Sequence, residues 1–178
     1  GGGIATRPQT HAALSDSLFQ ECDECGNLKT GSDEGLAMDA NIQAAAARLV
    51  RKLKKGGFSL TVAESCTGGL LASTLTDITG ASTWFRQSWV TYANEAKIEE
   101  LGVNPEDLNA RGAVSAKVAI QMAQGALKGA KADYAISVTG IAGPTNEGSS
   151  KPVGTVYVGI ASKFWAEAKR TQIGGTRA

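Results

Sequence analysis

Apolar positions along residues 39–178 follow helical and strand periods in turn. Ile42, Ala46, Leu49, Val50 and Leu53 recur at helical spacing, with Arg48, Arg51, Lys52, Lys54 and Lys55 opposite them or in the last turn. This pattern predicts a helix that Gly56-Gly57 ends. Phe58, Leu60 and Val62 alternate as in a strand. A turn rich in glycine follows, and Leu70, Leu71, Leu75 and Ile78 then predict a second helix ending near Gly80. A strand is predicted from about Trp84 to Tyr92, then a short helix from Glu95 to Leu101, capped by Asn94 and closed by Gly102. Ser115 opens a further helix with Val118, Met122, Ala126 and Leu127 on one face. Residues 134–138 read as a buried strand, and residues 153–161 and 165–173 as two more, possible partners in a hairpin. Elements alternate and then strands cluster, so the predicted fold class is α/β: one domain with a mixed sheet flanked by helices.

Residues 1–38 are polar and lack a sustained period, and they read as a disordered or loosely docked tail. Cys22 and Cys25 have the spacing of half a zinc site, but no second pair follows. The expectation is two free thiols, and a reducing, cytoplasmic setting fits three cysteines better than a disulfide framework. The net charge of +1 argues against a broad nucleic-acid or membrane footprint, and leaves a small-molecule ligand as the expected partner. No apolar run is long enough to cross a bilayer, and no signal peptide is read at the N-terminus.

Histidine narrows the chemistry most. The one histidine, His11, sits in the tail, which excludes a Ser-His-Asp or Cys-His arrangement within the domain unless the tail folds back. A serine nucleophile would then need lysine or tyrosine as its base. Ser65 lies where a strand turns through glycines into a helix, a setting that exposes a side chain. The N–H groups of Thr67, Gly68 and Gly69 would be free there for an oxyanion or a phosphate. The plainer alternative is that Ser65 or Thr67 caps the helix. Cys66 is a rival nucleophile, but a neighbour at a strand end is expected to point the other way, into packing. Tyr92 and Lys97, at a strand end and in the next helix, can face the same sheet edge, or Lys97 can simply pair with Glu95 or Glu100 in solvent. In residues 137–144, Thr139, Gly140 and Gly143 form a loop that permits close approach to a ligand, and Lys151 beyond it can meet an anion or remain solvated.

Five segments in order resemble a known family: Ala63-Glu-Ser-Cys-Thr-Gly-Gly69, Val90-Thr-Tyr-Ala-Asn-Glu-Ala-Lys97, Gly112-Ala-Val-Ser115, Val138-Thr-Gly-Ile-Ala-Gly-Pro144 and Lys151-Pro-Val-Gly-Thr-Val156. They are similar to the C-terminal domain family of the competence/damage-inducible protein CinA, which includes stand-alone nicotinamide-nucleotide amidohydrolases of the PncC type. The resemblance implies hydrolysis of nicotinamide mononucleotide to nicotinate mononucleotide and ammonia, without metal or other cofactor. It implies Ser65 as nucleophile, assisted by Tyr92 and Lys97. The family usually continues with a Gly-Asp-Arg segment and a C-terminal helix. Here the matching place reads Gly175-Thr176-Arg177 and the sequence ends at Ala178, so a missing helix and a bared sheet face are expected. The rival readings are a non-catalytic nucleotide-binding module with Gly68-Gly69 and residues 140–143 cradling phosphate, and an amidase for another small carboxamide. A homo-oligomer stays open. Trp84, Phe85 and Trp89 are candidate interface residues, with core packing the favoured role.

Overall fold

The computed structural model describes residues 32–146 and 149–174, with side chains from residue 40 onward. The tail residues His11, Cys22 and Cys25 and the segment from Gly175 to Ala178 lie outside the described residues, and with them the expected free thiols and the expected missing helix.

Helix α1 spans Ser32–Gly56, beginning ahead of the expected start near Asp39. Strand β1 (Leu60–Glu64) leads through the glycine turn to α2 (Leu70–Thr76), and a short 3-10 turn (Ala81–Thr83) precedes β2 (Phe85–Val90). Helices α3 (Asn94–Leu101), α4 (Pro105–Arg111) and α5 (Ala116–Ala130) follow, then β3 (Tyr134–Gly140), β4 (Thr155–Ser162) and β5 (Ala166–Gln172). The five strands form one mixed sheet in the order β2-β1-β3-β4-β5. β2, β1 and β3 run parallel, and β4 and β5 complete an antiparallel meander.

Strand parity decides which helices cover which face. Leu60, Val62, Tyr134, Ile136 and Ile160 point to one side and pack with Ala46, Leu49, Val50 and Leu53 of α1 and with Leu75 of α2. Burying each large side chain there contributes about 1.5–3 kcal/mol. Ala63, Ala135 and Ala161 face the other side, against Val118, Met122 and Ala126 of α5. That second face carries small residues, so α5 lies close upon it. Ser137 Oγ donates to the Ala119 carbonyl at 2.6 Å. A Cβ on Gly159 would meet the Ala119 carbonyl carbon at 2.7 Å. Trp84 is fully buried beside Leu60 rather than lying at a surface, and Trp89 packs on α5.

Two local expectations are corrected. Asn94 begins α3 instead of capping it, and Ala93 at the cap position makes no side-chain hydrogen bond. Helix α4 was not expected, although its signal is in the sequence. The Asn104 side chain accepts from the Glu106 N–H at 2.7 Å, Pro105 fits the first turn, and Glu106 and Asp107 suit the helix start.

The end of α3 is held by a close approach to α5. A Cβ on Gly125 would collide with the Leu101 carbonyl and stand 2.7 Å from its carbon. Gly125→Ala is therefore expected to cost about 1–3 kcal/mol from overpacking, against about 1 kcal/mol gained in helix propensity. A denaturant midpoint at or above wild type would contradict this packing.

Candidate active site

Three parallel strands end on the same side of the sheet, where open α/β sheets commonly bind ligands. Ser65 follows β1, Thr91 and Tyr92 follow β2, and Thr139 lies near the end of β3. The ends are pinned together: the Ser65 N–H donates to the Val138 carbonyl at 3.0 Å, and the Thr91 N–H to the Glu64 carbonyl at 2.9 Å. Beyond them opens a pocket of about 560 Å³.

Lys97 reaches the floor of this pocket from α3. It is 1% exposed, which rules out the solvated pairing with Glu95 or Glu100. Its Nζ donates to the carbonyls of Thr91 (2.8 Å) and Tyr92 (2.9 Å) and lies 3.1 Å from Ser65 Oγ. Burial lowers the Lys97 pKa from the ordinary 10.5, while the nearby Cys66 and Glu95 pull it back only in part. A neutral amine has two N–H bonds and one lone pair. In that neutral form, with both N–H bonds on the two carbonyls, the lone pair would be the group left for the Ser65 hydroxyl. Ser65 is itself buried, at 8% exposed.

Cys66 does not turn away as expected; it lines the same pocket as Ser65. A turn, rather than continuing strand, carries both residues, so strand alternation does not apply. A Cβ on Gly140 would stand 3.0 Å from Cys66 Sγ, so that glycine lets the sulfur pack against the loop. Burial raises the Cys66 thiol pKa, outweighing the lowering by Lys97, which keeps it a thiol and a poor nucleophile.

The helix start also differs from expectation. The Gly68 N–H donates to the Ser65 carbonyl at 3.1 Å. The Glu64 carboxylate accepts from the N–H groups of Gly69 (3.1 Å), Leu71 (3.1 Å) and Ala72 (2.8 Å). Gly68 and Gly69 therefore do not offer free donors, and neither lines the pocket, nor does Thr67. A carboxylate already fills the place a phosphate would take at the start of α2. The Cys66 and Thr67 N–H groups make no backbone hydrogen bond among the described residues and lie against the Cys66 sulfur.

Of the other expected residues, Tyr92, Thr139, Gly140, Gly143 and Lys151 all line the pocket with Ser65 and Lys97. The Tyr92 ring stands at the rim, 57% exposed. Thr139 Oγ1 donates to the Ala113 carbonyl at 3.1 Å, and Lys151 Nζ to the Arg111 carbonyl at 3.1 Å. Arg111, Asn94, Asn146 and Ser149 also line it and were missed from sequence; the Arg111 guanidinium lies 3.7 Å from the Asp107 carboxylate. No cluster of three or more His, Cys, Asp or Glu able to hold a metal exists among the described residues. Nor, among them, is any helix long and apolar enough to cross a membrane.

Residues 42–178 match the family model of the CinA C-terminal domain. The chain belongs to the CinA C-terminal domain family. Within that family it is 48% identical over 124 residues to the nicotinamide-nucleotide amidohydrolase PncC of Escherichia coli K12, covering 70% of this chain and 75% of that protein. It is 51% identical over 129 residues to a putative competence-damage inducible protein of Caldicellulosiruptor saccharolyticus, covering 72% of this chain but spanning only 31% of that relative's length. The CinA fold is also seen in solved structures. The competence damage-inducible protein A of Klebsiella pneumoniae superposes with TM-score 0.74 at 36% identity, covering 76% of this chain and 84% of that one. The Agrobacterium tumefaciens competence/damage inducible protein gives 0.71 at 41% identity, covering 75% and 81%.

Proposed function

We propose that this domain hydrolyses the carboxamide of nicotinamide mononucleotide to nicotinate mononucleotide and ammonia. The observation that carries the reading is the buried Lys97 amine, 3.1 Å from Ser65 Oγ and held by two carbonyls. The 48% identity to the Escherichia coli PncC supports the choice of substrate.

Ser65 Oγ bonds to the carboxamide carbon as its proton passes to neutral Lys97. The N–H group of Cys66, which lines the pocket beside Ser65, receives the oxyanion, in place of the Thr67, Gly68 and Gly69 donors read from sequence. The C–N bond then breaks, and the amide nitrogen takes a proton from Lys97, directly or through the Tyr92 hydroxyl, leaving as ammonia. Water attacks the carbon of the resulting ester and gives a proton to Lys97; the C–Oγ bond then breaks, Ser65 Oγ takes that proton back, and nicotinate mononucleotide leaves. Thr139, Gly140 and Gly143 shape the wall along the ribose, and Lys151, beside Arg111, meets the phosphate.

Glu64 at the start of α2 weighs against the non-catalytic phosphate-cradle alternative, because that cradle already holds an anion. Ammonia release from a panel of carboxamides tests the substrate. Nicotinamide mononucleotide is expected to turn over, and free nicotinamide and the unphosphorylated riboside to fall far behind. Equal turnover of all three would favour a general small-amide hydrolase.

Lys151→Ala separates binding from chemistry. Loss of one charge-assisted contact, worth about 1.5–3 kcal/mol, is expected to raise KM for the mononucleotide roughly 10- to 100-fold. kcat should stay within about threefold, since Lys151 touches no reacting atom. An unchanged KM would remove Lys151 from the phosphate end.

A further inference from the structure

The mechanism above makes no use of Glu64, a carboxylate with no exposed surface at the end of β1. A buried charge is costly unless hydrogen bonds compensate it. Among the described residues, the compensation comes from three backbone N–H groups of α2, those of Gly69, Leu71 and Ala72. Capping alone does not need this arrangement, since a Ser, Asp or Asn at the cap position would satisfy such donors locally. Here the cap position is Gly69, which has no side chain. The acceptor is instead delivered from the preceding strand, across the turn that bears Ser65.

That geometry fastens both ends of residues 65–68. At the strand end, the Glu64 carbonyl accepts from the Thr91 N–H at 2.9 Å. At the helix end, the Glu64 carboxylate fixes the first turn of α2. Between them the turn closes on itself, Gly68 N–H to the Ser65 carbonyl and Leu70 N–H to the Thr67 carbonyl, both at 3.1 Å. Gly68 at φ +61° and Gly69 at φ +105° are residues that such a turn requires. The span held in this way carries the nucleophile and the N–H group of Cys66.

We infer that Glu64 is a positioning residue: its side chain clamps the start of α2 to the end of β1, and thereby holds Ser65 Oγ and the neighbouring N–H donor in register with Lys97. The inference rests on Ser65 being the nucleophile. Its effect falls on the chemical step, because Glu64 does not line the pocket. A displacement of about 1 Å at the reacting centre costs on the order of 100-fold.

The test compares Glu64→Gln and Glu64→Asp with wild type and Ser65→Ala, by ammonia release from nicotinamide mononucleotide and by thermal melting. Gln keeps the shape but places an NH2 against backbone donors. Asp keeps the charge but falls one methylene short. Folded Glu64→Gln is expected to lose roughly 100-fold in kcat with KM within about threefold, and Glu64→Asp roughly tenfold. The pH at which activity rises should stay where it is in wild type, since Glu64 does not touch the Lys97 amine. Wild-type kcat in folded Glu64→Gln, or a loss carried by KM alone, while Ser65→Ala is inactive, overturns the positioning role. If Glu64→Gln does not fold, Glu64→Asp decides: lowered kcat at unchanged KM supports the role, and wild-type kcat overturns it. Activity in Ser65→Ala would instead overturn the nucleophile, and the inference with it.

Discussion

Ser65→Ala is expected to lower ammonia release from nicotinamide mononucleotide at least about 10,000-fold, leaving only what binding and N–H donors contribute. Substrate affinity should barely change, since Ser65 is one atom among many that line the pocket. The fold should also survive. Ser65 contributes its backbone to the turn, through its N–H to Val138 and its carbonyl to Gly68, and Ala keeps both. A residual rate above about 1% of wild type would point to Cys66, the other nucleophilic atom at the pocket floor, or to direct attack by water.

Lys97→Met and Lys97→Arg are expected to lose at least about 1,000-fold in kcat, because the base and the nucleophile act as a unit. Arginine separates charge from basicity, since it keeps a cation near Ser65 but cannot lose its proton at neutral pH. The pH profile carries the same claim. The active form has Lys97 neutral, so kcat/KM rises as pH rises through the folded pKa and levels off above it. Burial lowers that pKa, so the plateau is reached below the ordinary 10.5. A profile that falls through the same range would assign Lys97 an electrostatic role instead.

Much of this was legible in the sequence because the signals were local. The 3.6-residue period marked α1 and α5, the 2-residue period marked β1 and a short buried-type run marked β3, and the absence of histidine from residues 39–178 pointed to Lys97. What escaped was nonlocal or belonged to the backbone. The carbonyls of Thr91 and Tyr92, which orient the Lys97 amine, would be present whatever residues stood there. Glu64 was visible in the motif, but its caps lie five to eight residues ahead and run from strand to helix, unlike a local capping box. Gly68 and Gly69 therefore looked like open donors when they were already engaged. Strand alternation turns Cys66 away from Ser65, but both residues sit in a turn, where that alternation does not hold. The small face formed by Ala63, Ala135, Gly159 and Ala161 becomes apparent only once three strands are aligned in register. Helix α4 differs, because its Asn-Pro-Glu-Asp start is a purely local signal.

The proposed chemistry needs an uncharged Lys97 amine beside the buried Ser65 hydroxyl. Titration of the Lys97 ε-amine by NMR, in protein with isotopically labelled lysine and Lys97→Arg to assign the signal, observes that group without substrate. The midpoint is expected below 10.5, and to coincide with the pH at which kcat/KM rises. A midpoint at the value of an ordinary solvated lysine, with activity already at its plateau far below it, would contradict the account.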